Sequence, residues 1–308
     1  MKAVRNCMLI AACLATAACA TAQQPGTAPA IAITIDDLPV HGPYPRGESA
    51  MTATREILAA LKAERIEAYG FLNARWTKQD SSTAEPLAAW ITAGQPLANH
   101  GFGHRHLSEM SAAEFEQELV KNEPLLKQLS GSKDWKWFRY PFLDEGGADT
   151  DKRDASRAIL ARHGYKIAAV TMDFSDWAWT APYARCKDAG DKAAVARLEQ
   201  LYLQAARESI LYYRELSKAT YGRDIPYVLL LHVSAFEGRM MPRLLKLYRD
   251  AGFKFVTLAQ AQVDPAYLDQ MEPSRPAEPQ GLEDKVRSRG SVPSRTDYKP
   301  TLEAMCQV

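Results

Sequence analysis

Two spacings of apolar residues alternate along this chain. Ile31-Ala32-Ile33-Thr34-Ile35 is a short β-branched run stopped by Asp36-Asp37, and it reads as a buried strand. Runs of the same kind lie at 68–72, 96–99, 136–139, 166–170, 227–231 and 254–257. Between them apolar residues recur at helical spacing over 49–65, 82–93, 111–129, 150–163, 191–219 and 241–251. Strand alternating with helix is the pattern of a parallel α/β sheet or barrel, here with seven strands, no repeat and no interior domain boundary. Two stretches depart from it. Residues 177–225 hold a long amphipathic helix and read as an insertion capping one face of the sheet. Residues 264–308 are polar and Pro-rich with few periodic apolar positions, so an extended tail is expected.

The first residues follow neither spacing. Lys2 and Arg5 precede an apolar, Ala-rich block from Cys7 to Ala18 that ends in Ala20-Thr21-Ala22. A basic start, a short apolar run and small residues at the end describe a secretory signal peptide, 1–22, followed by a Gln/Pro/Gly/Ala linker, 23–30. The block is too short to span a bilayer as a permanent helix. Cys13 or Cys19 as a lipid-modified cysteine is the lesser alternative, since neither follows a full Leu-small-small pattern. An exported protein, periplasmic or secreted, is expected. Of the five cysteines, cleavage would leave Cys186 and Cys306, an even pair that reads in an oxidising compartment as one disulfide stapling the tail to the insertion, or else as two free thiols.

Charge narrows the function further. With 38 Lys+Arg against 37 Asp+Glu, the 308-residue chain has no positive excess for coating nucleic acid, and its 46% hydrophobic content excludes a disordered chain. The polar residues that do not suit a buried strand stand at strand C-terminal ends: Asp36 and Asp37; Asn99, His100 and His104; Arg139; Asp173 and Asp176; His232. In a barrel these ends share one rim. Each residue alone has a bland reading: an Asp after a strand as helix N-cap, an H-x-x-x-H pair on one helix face, a strand-end His hydrogen-bonded in the core. Together they offer more. One carboxylate with two imidazoles is a three-ligand set that leaves a position open, as in catalytic zinc sites. A second carboxylate could take a proton from water and a distant imidazole could return one to a leaving group. That is metal-assisted hydrolysis of an amide or ester.

The same residues carry a resemblance. Thr34-Ile35-Asp36-Asp37, Asn99-His100-Gly101-Phe102-Gly103-His104, Phe138-Arg139-Tyr140-Pro141-Phe142, Asp173-Phe174-Ser175-Asp176-Trp177 and Leu229-Leu230-Leu231-His232 resemble, in order, the five motifs of the polysaccharide deacetylases, the NodB-homology group or carbohydrate esterase family four. The resemblance implies a distorted (β/α) barrel as the catalytic domain over 31–263, a divalent ion such as zinc, and removal of N-acetyl, or O-acetyl, groups from carbohydrate. By position, Asp36 resembles the general base, and Asp37, His100 and His104 the metal ligands. Arg139 would hold Asp36 by a charge-assisted hydrogen bond. His232 resembles the general acid and Asp176 the carboxylate that orients it. The Phe142 N–H would be an oxyanion donor, and Trp177 and Leu230 the walls of the acetyl pocket.

The chain also departs from the pattern. Leu38 follows the second Asp where a Gly is more usual, His106 stands where an Asp is common, and Val233 where an acid is frequent. These changes touch the groove walls and so bear on substrate more than on reaction. His41 could reach the metal rim or a substrate hydroxyl, or be solvated. Tyr44, Trp179 and Tyr183 could stack on sugar beside Trp177 or pack under the insertion. Two rival readings stay open, a deacylase or amidohydrolase of a small amide and a non-catalytic carbohydrate-binding protein. The pattern speaks for an N-acetylated carbohydrate partner and against nucleic acid and a transmembrane span; it says nothing of oligomeric state.

Overall fold

The computed structural model describes residues 28–276 and 281–307, so the expected signal peptide and most of the linker lie outside it. Seven parallel strands, β1 (Ala30–Leu38), β2 (Tyr69–Leu72), β3 (Leu97–Asn99), β4 (Trp137–Phe138), β5 (Lys166–Ile167), β6 (Tyr227–His232) and β7 (Lys254–Val256), fall on the seven apolar runs. They form one sheet in the order β5-β4-β3-β2-β1-β6. β1 is its centre. One edge pairs with β6 from Ile31 to Asp36, and the other is shared by β7, opposite Ala30–Ala32, and β2, opposite Thr34–Leu38. Buried on both faces, β1 has the continuous apolar run of a central parallel strand instead of alternation.

The sheet curls until its ends meet. Beyond β5 the chain bridges to β6 at Met172 and Leu229, with Leu230 N–H donating to Met172 O at 3.1 Å and Met172 N–H to Val228 O at 3.1 Å. This is the α/β barrel, distorted because its closing strand is reduced to a bridge. Because all strands run in parallel, their C-terminal ends form one rim.

The helices begin where capping residues stand. Ser49, Ser111, Asp149, Asp191 and Ser234 each accept from a backbone N–H of the first turn, and Ser111 with Glu114 completes a capping box. Helices Ala50–Glu64 and Ala235–Asp250 cross so closely that a Cβ at Gly238 would stand 3.0 Å from Ala53 O, which is why glycine occupies that position. The expected insertion holds helix Thr180–Asp188 and the thirty-residue helix Lys192–Tyr221. The latter buries Val195, Leu198, Tyr202, Ala205, Ala206 and Ser209, one face at 3.6-residue spacing.

The polar C-terminal segment differs from the extended tail expected. It carries short helices Gly281–Arg287 and Lys299–Ala304, and Leu282 and Leu302 are buried in the main core. Arginines elsewhere in the chain hold its carbonyls: Arg157 Nη2 donates to Asp269 O (2.7 Å) and Glu272 O (2.8 Å), and Arg185 Nη2 to Met305 O (3.0 Å). Cys186 and Cys306 are joined, with Cα atoms 5.2 Å apart across 120 residues. Among the described residues no helix is long and apolar enough to cross a membrane.

A cross-link across so long a loop restricts the unfolded chain, so reduction, or Cys306→Ser, is expected to lower unfolding free energy by about 2–4 kcal/mol. Denaturant unfolding with and without reductant measures this, and identical midpoints would show that the bridge contributes nothing.

Candidate active site

On a regular strand Asp36 and Asp37 would point to opposite faces. Here they do not. The pairing of β1 with β2 slips between Ile35 and Leu38, three residues on β1 facing two on β2, and Asp37 takes a left-handed φ of 65°. Asp is one of the few residues that tolerate this conformation. Asp36 keeps the inward face it shares with Thr34 and, across the pairing with β6, with Leu230 and His232. Asp37 swings onto the rim instead.

Inside the barrel, Arg139 Nη1 donates to Asp36 Oδ1 at 2.7 Å and to Thr34 Oγ1 at 2.8 Å, while Nε reaches Ala168 O at 3.3 Å. The guanidinium lies 4.1 Å from the Phe71 ring centroid, a cation–π contact in a dry setting. Both partners are buried. The pair anchors Asp36 by one oxygen and leaves Oδ2 toward His100, whose Nε2 is 3.5 Å away.

Asp37 Oδ1 is 3.1 Å from His104 Nε2 and 3.5 Å from His100 Nε2, and one ligand atom from each residue lies within 4.8 Å of the others. His100 Nδ1 is 2.9 Å from Arg139 O; a carbonyl only accepts, so Nδ1 carries the hydrogen, and in the neutral ring Nε2 presents a lone pair. Asp37 Oδ1 is itself buried without a hydrogen bond. Lone pairs converging on one point suit a cation between them, and a carboxylate with two imidazoles suits a divalent one. The residues therefore fit a metal. Burial alone would raise the Asp37 carboxyl, but the imidazoles of His100, His104, His41 and His232 hold it well below the usual carboxylate range.

The loop bearing the two histidines is set by buried amides. Asn99 Oδ1 accepts from Gly101 N (2.9 Å) and Asn122 Nδ2 (2.8 Å), and Asn73 Nδ2 donates to His100 O (2.7 Å) and Gly101 O (2.9 Å). Sequence reading missed Asn73 and Asn122, because a helix or strand-end Asn looks like a cap or turn former until its long-range partner is known.

On the other side of the rim, Asp176 receives both His232 Nδ1 (2.8 Å) and His232 N–H (2.7 Å). Burial would lower the imidazole, yet the adjacent Asp176 charge and hydrogen bond, aided by Asp37 and Asp36, push it up to about 10. Behind Asp176 stands a buried acid that sequence reading passed over. Glu237 sits three residues after the cap Ser234 and so reads as a capping-box partner, but its carboxyl accepts from the Tyr202 hydroxyl. Burial first, then the charge of Asp176, raise it well above the ordinary carboxylate range.

Aromatic rings frame the opening. Phe142, 55% exposed, stacks on His106 with centroids 3.7 Å apart and planes at 7°, and touches His104 at 4.4 Å. His106 and Ser108 are held by Asp144. Trp177 is 41% exposed with Lys299 Nζ 4.7 Å from its ring, and Leu230 is buried at the end of β6. Trp179 and Tyr183 are not at this surface. They are fully buried, Trp179 against Phe174 and Tyr202 and Tyr183 against Phe236, so they pack under the insertion. Tyr44 is half-buried, its hydroxyl 3.5 Å from Val233 O. His41 joins the site through Asp37 Oδ2, 2.8 Å from its Nδ1.

Known proteins share this architecture. A mutant CE4-family pseudoenzyme superposes with a TM-score of 0.53 at 17% identity, over 75% of this chain and 66% of that one. The wild-type pseudoenzyme from Bacillus anthracis gives 0.52 at 17%, over 75% and 64%. The CE4 domain of a multidomain xylanase from the hindgut metagenome of Trinervitermes trinervoides gives 0.51 at 18%, over 78% and 92%. At such identities the likeness is one of fold, and the chain spans about two thirds of the pseudoenzyme's length. No curated protein sequence matches. The family described as "Polysaccharide deacetylase" matches residues 23–188, more than half of the sequence. This chain therefore belongs to the polysaccharide deacetylase family.

Proposed function

We propose that this protein is a metal-dependent deacetylase that hydrolyses N-acetyl groups, or O-acetyl groups, of a carbohydrate. One observation carries the reading: a convergent Asp37–His100–His104 set lies between an Arg-anchored carboxylate, Asp36, and a carboxylate-backed imidazole, His232. Asp37, His100 and His104 would hold the ion, and zinc fits the nitrogen-rich set best. When bound, such an ion polarises the acetyl carbonyl and makes water a better nucleophile.

The protein's own groups supply the rest. Asp36, with Oδ1 tied to Arg139, presents Oδ2 as the base that takes the proton of the attacking water. The Phe142 N–H donates to the developing oxyanion. His232, fixed through Nδ1 by Asp176, has Nε2 to give a proton to the departing amine. Leu230 and Trp177 wall the acetyl methyl. The exposed aromatic side chains of Phe142 and Trp177 at the opening support a pyranose-bearing substrate over a small amide, since aromatic rings suit the apolar side of a sugar. An N-terminus patterned as a signal peptide and a disulfide both support export.

Asp36→Asn is expected to keep the metal while losing about 10²–10⁴-fold in turnover, and Asp37→Ala to lose metal and activity together. Metal analysis alongside acetate release from N-acetylated chito-oligomers, cell-wall glycan and O-acetylated xylan measures both. Full metal content and activity in Asp37→Ala would refute the site. A wild type that binds these glycans without releasing acetate would point to a non-catalytic binding protein, and release from small amides alone to an amidohydrolase.

pH gives an independent test. His232 must be protonated to act as acid, so activity is present below its pKa and lost as pH rises through it, near 10 less whatever a cation beside Asp37 and Asp36 removes of their contribution. Asp176→Asn deletes the largest raising influence and is expected to move the alkaline limb down by about 1–3 pH units. An unmoved limb would take the acid role away from His232.

A further inference from the structure

The sequence places a histidine in an unusual loop just after the two aspartates, and the structure brings it back onto one of them. Val40 N–H donates to Asp37 O at 2.9 Å, closing a turn that returns His41 to the rim. His41 Nδ1 then lies 2.8 Å from Asp37 Oδ2, the oxygen not directed at His100 and His104. A carboxylate only accepts hydrogen bonds, so Nδ1 carries the hydrogen and donates it. The ring is confined: its centroid is 5.0 Å from that of His232, and its backbone N–H donates to the Tyr44 hydroxyl at 3.3 Å.

We propose that His41 is a positioning residue that clamps Asp37 Oδ2, so that Oδ1 is presented to the divalent ion in fixed orientation. A carboxylate free to turn about its Cβ–Cγ bond would offer either oxygen or both. An N–H on one of them selects the other. Groups that hold a ligand from behind in this way set metal affinity by about 10–100-fold. The inference rests on the metal-site reading given above.

Two variants of matched length separate the hydrogen bond from the bulk of the side chain. His41→Asn keeps an N–H donor at the position of Nδ1 and the equally long His41→Leu does not. The readouts are the zinc dissociation constant of the full chain, by competition with a chromophoric chelator, and the visible spectrum of the cobalt-substituted protein. His41→Leu is expected to bind zinc about 10–100-fold more weakly and to alter the cobalt bands, with His41→Asn nearer to wild type. Equal metal-free unfolding midpoints would show that the fold is intact in both. Wild-type affinity in His41→Leu, or equal losses in both variants, would overturn the clamp while Asp37→Ala still loses zinc. If the wild type binds no zinc or cobalt, the metal site itself fails and the clamp with it.

Discussion

Everything at the rim depends on a slip of one residue in β1. A strand presents alternate residues to each face, so two adjacent carboxylates cannot serve one site unless the backbone breaks step. The irregularity between Ile35 and Leu38, with the left-handed Asp37, is that break. It leaves Asp36 inside the barrel against Arg139 and puts Asp37 beside His100 and His104. It also sets the direction of the loop that carries His41 back. Because β1 is held by β6 on one edge and by β7 and β2 on the other, the slip has little freedom to relax.

The Arg139–Asp36 pair is the second constraint. Burying an ion pair is expensive unless geometry and remaining hydrogen bonds are good, and removing one partner commonly costs about 3–5 kcal/mol. Arg139 joins Asp36 and Thr34 on β1 to the Ala168 carbonyl beyond β5, so the pair spans the barrel interior between strands distant in the sheet. Its backbone carbonyl also fixes the His100 ring. One residue thus fixes both Asp36 and His100, the groups proposed as base and metal ligand, so a change at Arg139 would act on both.

The strands and their order of chemistry were legible because the signal is local: β-branched runs that end in Asp, Asn, Arg or His. What escaped local reading was long-range. Nothing near Asn122 indicates that its amide spans Leu72, Ala74 and Asn99. Trp179 and Tyr183 have the composition of a sugar platform, but the long helix covers Trp179 with Leu198 and Tyr202, Phe236 covers Tyr183, and both become core. The C-terminal segment looked unstructured because its own sequence lacks an apolar period. Its order comes from Arg157, Arg185 and Arg295, from Cys186, and from two buried leucines that meet the core singly. Glu237 matched a capping spacing and was used for something else.

Backbone strain shows where the fold spends its stability. Among the described residues, five of the seven non-glycine positions with positive φ, Asp37, His104, Phe142, Leu143 and Ser175, lie at this rim or next to it, the others being Arg65 and Cys306. Conformations of this kind cost of order 1–3 kcal/mol each and persist only where neighbours enforce them. Those neighbours can be named. The Asn73–Asn99–Asn122 amides and the Glu118 bond to Gly103 N (2.5 Å) hold the His104 loop, Asp173 takes the N–H of Ser175 (2.7 Å), and Asp144 pins the 106–108 turn beneath Phe142. The supports come from several elements, with the helix Ala112–Ser130 supplying both Glu118 and Asn122, so the rim is fixed before anything binds. Preorganisation of that kind suits the proposed hydrolysis, which would have to align a water, a carbonyl and two proton-transfer groups at once, because the ordering entropy is met during folding and not during reaction.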